Sequence, residues 1–129
     1  MTPYDAIGGE AKIRAVLQRL YDVLFDDPMV GFLFQGKDKA RLVEQQLAFT
    51  CAFLGGPQRY AGRSLPEVHS RLPLLPGHFD RRHWLLRQAL EEHGVAEDVK
   101  GAWLRIDEGL RPSVLASGED ARARAREQS

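Results

Sequence analysis

A chain of 129 residues that is 43% hydrophobic can bury one sizeable core, so a single compact domain is expected. Its 18 basic and 18 acidic side chains cancel, which argues against a nucleic-acid partner, since phosphate recognition calls for a basic surplus. No run of about 18 apolar residues offers a membrane span, the opening MTPYDAIGGE lacks the basic-then-apolar order of a secretory signal, and the lone Cys51 cannot close an internal disulfide, so a reducing cytoplasm is the expected compartment.

Thr2-Pro3-Tyr4-Asp5 reads as a helix start: a hydroxyl cap, a proline in the first turn and a carboxylate near the positive end. Gly8-Gly9 interrupts it after barely a turn. The next helix is predicted from about Glu10 to Phe25, with Ile13, Val16, Leu17, Leu20 and Leu24 at three-four spacing. Tyr21 falls on the same face, one turn beyond Leu17, so its hydroxyl needs a partner inside the core or at its edge. Asp26-Asp27-Pro28 breaks the helix. Met29 to Phe34 is too short and too apolar for an exposed loop, and reads as a buried turn of helix or as part of a pocket wall. Gly36 ends it, and Asp38 can cap a third helix.

Within Arg41–Tyr60, the residues Leu42, Gln46, Phe49 and Phe53 fall at spacings of four, three and four, forming one stripe of a helix. Gln46 sits in the middle of it. An amide on an apolar face is costly unless something there takes its hydrogen bond, so Gln46 is a candidate for facing a ligand. Gly55-Gly56-Pro57 stops the helix. Between Pro57 and Pro76 the chain is loop-like, with one short helix plausible where Ser64 and Glu67 have capping-box spacing. Leu65, Val68 and Leu72 give that helix a greasy side, and His69 lies next to it. A further helix is predicted from about His78 to His93, with Phe79, Trp84, Leu85, Leu86, Ala89 and Leu90 apolar and Gly94 as its cap. A last one covers roughly Glu97 to Ala116, with Val99, Trp103, Ile106, Leu110 and Val114 on one side and Pro112 kinking or opening its final turn. No alternating run is long enough for a strand, so the fold class is all-α. The domain is drawn at residues 1–116, and the charged residues 117–129 are expected to be a disordered tail.

Four histidines are present: His69, His78, His83 and His93. None is paired at the i, i+4 spacing of a zinc helix, and no second cysteine exists, which argues against a structural zinc site. Neither a nucleophile elbow nor a phosphate loop appears. Taken singly, a lone histidine is most often a surface or core residue, a tyrosine on a core face is most often structural, and Gln46 serves as readily at a helix interface. In combination, a histidine on a short loop-flanked helix with an amide and a phenol on apolar faces suits a flat porphyrin. The imidazole would bind iron from below, and the amide and phenol would donate to a ligand above.

The order of these pieces resembles the truncated hemoglobins, the short two-over-two helical globins, and is most similar to their group I. Tyr4-Asp5-Ala6-Ile7-Gly8-Gly9-Glu10 resembles the family's opening, and Gly55-Gly56-Pro57 with Tyr60 and Gly62-Arg63 its second glycine motif. Glu67-Val68-His69 resembles the segment carrying the proximal ligand, and His78-Phe79-Asp80 the start of the following helix. The resemblance extends from Tyr4 to about Leu115. It implies a heme b (iron protoporphyrin) with His69 as the iron ligand and Tyr21 and Gln46 as distal residues. It also implies Phe34 packing on the heme face, Leu42, Phe49 and Phe79 at other pocket positions, and Tyr60 among the cofactor-contacting residues.

The implied function is binding of dioxygen and other diatomic gases. For some members it extends to oxidation of nitric oxide to nitrate, and a weak peroxidase activity is conceivable. Turnover would need an unidentified reductase, because no flavin- or nicotinamide-binding motif is visible. Simple dioxygen binding or sensing fits the residues equally, and the alternative from another class is a heme-free, globin-shaped interaction or sensor module. The chief departure is Arg82, which stands where group I has an apolar residue near the heme. It reads as a solvated helix residue or as a salt bridge to a heme propionate. Trp84 resembles the tryptophan of the other groups without matching its spacing.

Overall fold

The computed structural model describes residues 2–57 and 75–112, and these are helical, with no strand among them. Helix α1 (Pro3–Ile7) opens on a reciprocal cap. The Asp5 backbone N–H donates to the Thr2 hydroxyl at 3.2 Å, and the Thr2 N–H donates to the Asp5 carboxylate at 3.4 Å. Gly8 and Gly9, at φ +110° and +78°, then turn the chain through conformations that side-chain-bearing residues rarely adopt. Helix α2 (Glu10–Asp26) follows, and its predicted stripe of Ile13, Val16, Leu17, Leu20 and Leu24 is at most 1% exposed.

That stripe is the axis of the molecule. Helices α3 (Lys39–Phe53) and α4 (Pro76–Glu92) both pack on α2, while α5 (Glu97–Gly109) packs on α4 and on α1. Val43, Leu47, Cys51 and Leu54 enter the core from the α3 side, Leu85, Leu86, Ala89 and Leu90 from α4, and Val99, Trp103 and Leu104 from α5. Burial pushes the Cys51 thiol up to about 11, so it is protonated and behaves as a small apolar residue. The turn after α2 is fastened by Asp27. One carboxylate oxygen accepts from the Met29 and Val30 N–H groups at 2.9 and 3.1 Å, and the other from Arg81 of α4 at 2.7 Å.

Some of these expectations need correction. The segment from Met29 to Phe34 is a 3-10 turn (Gly31–Phe34) with Val30 alone fully inside, while Met29 and Phe32 are 53% and 51% exposed. The turn lies so close on α2 that a Cβ at Gly31 would come within 2.9 Å of the Phe25 carbonyl oxygen, and Leu33 and Phe34 pack against the core from it. Helix α4 begins at Pro76 rather than His78, because proline fits the first turn and His78 Nδ1 accepts the Leu75 N–H at 3.0 Å. Trp84 is 47% exposed, since the buried face of α4 runs Phe79, Leu86, Leu90 and position 84 falls off it; Arg81 lies over its ring at 5.0 Å. Helix α5 runs to Gly109, where Leu110 closes it by donating to the Asp107 carbonyl at 3.1 Å, and the chain is helical again at Arg111 and Pro112, an interruption expected at a proline that has no N–H to give the Glu108 carbonyl. Residues 113–116, the tail, Tyr60 and the predicted short helix with His69 lie outside the described residues.

Leu86 has no exposed surface and belongs to the packed core that joins α2 to α4. Leu86→Ala is expected to cost about 2–5 kcal/mol, read as a lower urea midpoint with unchanged slope in circular dichroism.

Candidate functional site

Helix α3 has two faces with different tasks. Val43, Leu47, Cys51 and Leu54 point into the core. The predicted stripe runs beside that face: Leu42 and Gln46 are partly buried, Phe49 is 7% exposed and Phe53 is 53% exposed. The stripe therefore borders the core instead of forming it, and Gln46 lines a cleft between α3 and α5. Phe49, Thr50, Trp103, Ile106 and Asp107 also line this narrow cleft. The Gln46 amide donates to the Thr50 hydroxyl at a long 3.4 Å. Phe49 and Phe79 are each 7% exposed, yet neither belongs to the contiguous core. Phe49 stacks on Phe53 at 4.5 Å, and Phe79 stacks on His83 at 6.3 Å with the Arg111 guanidinium 4.4 Å over its ring.

Tyr21 is 7% exposed, and its ring meets Phe34 edge-on at 6.1 Å; Phe34, partly buried, stacks in turn on Phe25 at 5.1 Å. The Arg82 guanidinium is the positive charge that acts on the phenol and pulls its pKa down against burial. Arg82 Nη1 also donates to Asp107 Oδ1 at 2.6 Å, while the second carboxylate oxygen shares a 2.7 Å hydrogen bond with His83 Nδ1. The Asp107 side chain is 4% exposed. Arg82 is thus neither a solvated helix residue nor held out for a propionate; it is the middle member of a polar chain running from α2 to α5.

The electrostatics of that chain are mutual. Burial raises the Tyr21 pKa against the opposing pull of Arg82, so the phenol is neutral and keeps its proton. Burial also opposes charge on Arg82 and Asp107. The carboxylate, with Tyr21, nonetheless raises the arginine's pKa, and Arg82 with His83 lowers that of Asp107. The pair is therefore ionised.

Arg82 and Asp107 had a signal in the sequence that was missed. Arg82 stands three residues after Phe79 and four before Leu86; Asp107 stands four after Trp103 and three before Leu110. Each is a charge on the inward stripe of its helix, and the two signs are opposite.

Six predicted site residues can thus be placed. Tyr21 and Phe34 touch, Gln46 and Phe49 share the cleft, Phe79 reaches Asp107 through His83, and Leu42 packs at the core's edge. The Gln46 amide is bonded to Thr50, and the positive charge acting on Tyr21 is Arg82. His69 and Tyr60 lie outside the described residues. The three described histidines are each engaged: His78 at the start of α4, His83 on Asp107, and His93 through Nδ1 with the Ala89 carbonyl at 2.9 Å. Among the described residues no cluster of three or more His, Cys, Asp or Glu could hold a metal ion, and no helix is long and apolar enough to cross a membrane.

An all-helical sandwich with an amide-lined cleft and a buried, proton-bearing phenol defines a ligand-binding helical protein. The bacterial-like globin family matches residues 2–112, and the chain belongs to it. A group 1 truncated hemoglobin of a Nostoc strain is 35% identical over 106 residues, covering 81% of this chain and 90% of that one. Another, from Tetrahymena pyriformis, is 31% identical and covers 88% and 94%. Among solved structures, the Tetrahymena pyriformis truncated hemoglobin in its Fe(III) form superposes with a TM-score of 0.83 at 30% identity, covering 88% of this chain and 97% of the other. A Synechococcus 2/2 hemoglobin with covalently attached heme reaches 0.85 at 27%, covering 90% and 99%. Family membership implies heme-based binding of a small gas.

The described residues fit such a cofactor in kind. Phe49 and Phe79 are buried outside the contiguous core, where an apolar ring system needs walls, and Gln46 supplies an amide in the same cleft as Phe49.

Asp107→Asn leaves the Arg82 charge without its partner and is expected to cost about 3 kcal/mol in urea unfolding at neutral pH. A carboxylate whose pKa is lower folded than unfolded contributes fully above its ordinary value, and that contribution disappears as pH falls through the lowered one. The parent protein should therefore lose stability over that acid window, and Asp107→Asn should show a flatter acid limb.

Proposed function

We propose that the protein binds dioxygen and other diatomic gases at a heme b held by His69, with Tyr21 and Gln46 on the opposite side. The observation that carries this reading is Tyr21: a phenol 7% exposed, kept neutral by burial, in a chain of the bacterial-like globin family. The engagement of His78, His83 and His93 elsewhere supports His69 as the remaining imidazole. The heme, when bound, supplies a ferrous iron that takes a gas reversibly. Tyr21 donates its O–H to the ligand, and Gln46, whose 3.4 Å bond to Thr50 is weak, can turn its amide to the same place. Phe34, Leu42, Phe49 and Phe79, with Tyr60, wall the slot and exclude water.

Each donated hydrogen bond contributes about 1–2 kcal/mol net, which slows ligand release by about 5–30-fold. A slowly released dioxygen suits reaction with nitric oxide to give nitrate, with an external reductase returning the iron to the ferrous state. Gas storage or sensing would draw on the same residues. The functional domain is residues 1–116, and the compartment we assign is the cytoplasm.

Three measurements decide the matter. The purified chain, expressed with ample heme, should show a Soret band. His69→Ala should lose it and lose the thermal stability that heme adds. Tyr21→Phe should release dioxygen about 5–30-fold faster, followed by stopped-flow. A parent protein without a Soret band, together with His69→Ala of unchanged stability, would establish the heme-free interaction module instead.

A further inference from the structure

The outer face of α4 carries a feature that gas binding does not use. Trp84 sits in the middle of that face and leaves 47% of a large apolar side chain in water. Beside it an open groove runs between α2 and α4, floored by Val23, Leu85 and Ala89 and edged by Trp84 and Gln88. Arg81 lies at one end of this face, its guanidinium 5.0 Å over the Trp84 ring. Glu92 lies at the other end, bonded to Arg19 of α2 at 2.8 Å.

The row Arg81, Trp84, Gln88, Glu92, spaced by three, four and four, therefore lines one side of a helix, with a cation at its start and an anion at its end. Turned end for end, the same row reads anion, amide, indole, cation. It is its own complement, as a two-fold axis requires. Neither charge is used up within the chain. Arg81 gives Nε and Nη2 to Asp27, and Nη1 has no bond among the described residues; Glu92 accepts from Arg19 on Oε2, and Oε1 has none. The 18 basic and 18 acidic residues cancel, so copies of the chain do not repel one another at long range.

We propose that this face binds a second copy of the chain: α4 packs antiparallel on α4 of the other copy, each Trp84 seated in the other's groove and each Arg81 paired with the other's Glu92. A partner carrying one sign of charge would meet like charge at one end of the row, whereas a reversed copy meets opposite charge at both. The contact is about three turns of one helix with a strip of α2, less than a standard interface, so the dimer is weak and dissociates on dilution. The inference stands apart from the heme reading.

The test is sedimentation velocity on the full-length protein expressed with ample heme, from about 1 μM to about 1 mM. The parent should rise from single-chain mass toward about twice that mass with concentration. Trp84→Ala should weaken association at least about 30-fold, as loss of a central aromatic anchor does, and Glu92→Lys at least about 10-fold, through like charges brought together. Arg81→Glu alone should also stay monomeric, yet an equimolar mixture of Glu92→Lys and Arg81→Glu should associate, since opposite charges then meet at both ends of the heterodimer. Circular dichroism qualifies each variant beforehand; if Arg81→Glu does not fold, Trp84→Ala and Glu92→Lys decide. A parent that keeps single-chain mass over the whole range overturns the proposal. So does a dimer that Trp84→Ala and Glu92→Lys leave unweakened, which would place the interface elsewhere, or a mixture of folded variants that stays monomeric, which would exclude the antiparallel pairing.

Discussion

A carboxylate with 4% of its side chain exposed cannot stay ionised without a partner, and Asp107 has two. Arg82 and His83, adjacent on α4, take one oxygen each, which ties α5 to α4 at the level where α2 presents Tyr21. Remove any member and the others change state. Arg82 without Asp107 is a desolvated cation; Asp107 without Arg82 is pushed toward protonation; Tyr21 without Arg82 loses the positive charge that acts on its phenol. The separation of 2.6 Å and the low local dielectric make the attraction strong, but desolvation of both ions opposes it, so the net contribution to stability is small compared with the cost of breaking the pair.

That asymmetry bears on why such a pair exists in this core. Two well-packed apolar residues at positions 82 and 107 would hold α4 and α5 together as well or better. They would do nothing for the Tyr21 hydroxyl, which would then have to find an acceptor or donor among aromatic and aliphatic neighbours. A buried phenol is a demand that apolar packing cannot meet, and the charged pair acts on it electrostatically.

Much of this frame was legible in the residue order, for reasons that differ by element. The caps at Thr2 and Asp38, the glycine turn at Gly8-Gly9 and the stripe from Ile13 to Leu24 are local or periodic signals, and each appears where its chemistry dictates. Breaks governed by competition were placed less closely: α5 is interrupted at Leu110, two residues ahead of a proline with no N–H to donate, before the chain turns helical again. Exposure of Trp84 was misjudged because its large apolar ring outweighed its angular position on α4, where the guanidinium of Arg81 covers it. Arg82 was misjudged in the opposite sense. A charge in an apolar stripe was read on its own helix, when its meaning depended on an equally misplaced charge 25 residues on.

Helix α3 shows how a site can be carried beside a core without weakening it. Its core face is Val43, Leu47 and Cys51, regular and fully apolar, and its amide stands on the next face over, with Phe49 and Phe53. Had Gln46 occupied the core face, its amide would have needed several fixed partners, and the helix would have been pinned by them. Placed at the border it makes one long bond to Thr50, a neighbour on its own helix. Tyr21 stands at the other extreme, deep in the core-facing stripe of α2. The two groups are therefore placed differently: a phenol enclosed by the packed core, and an amide at the edge of the cleft with one long bond.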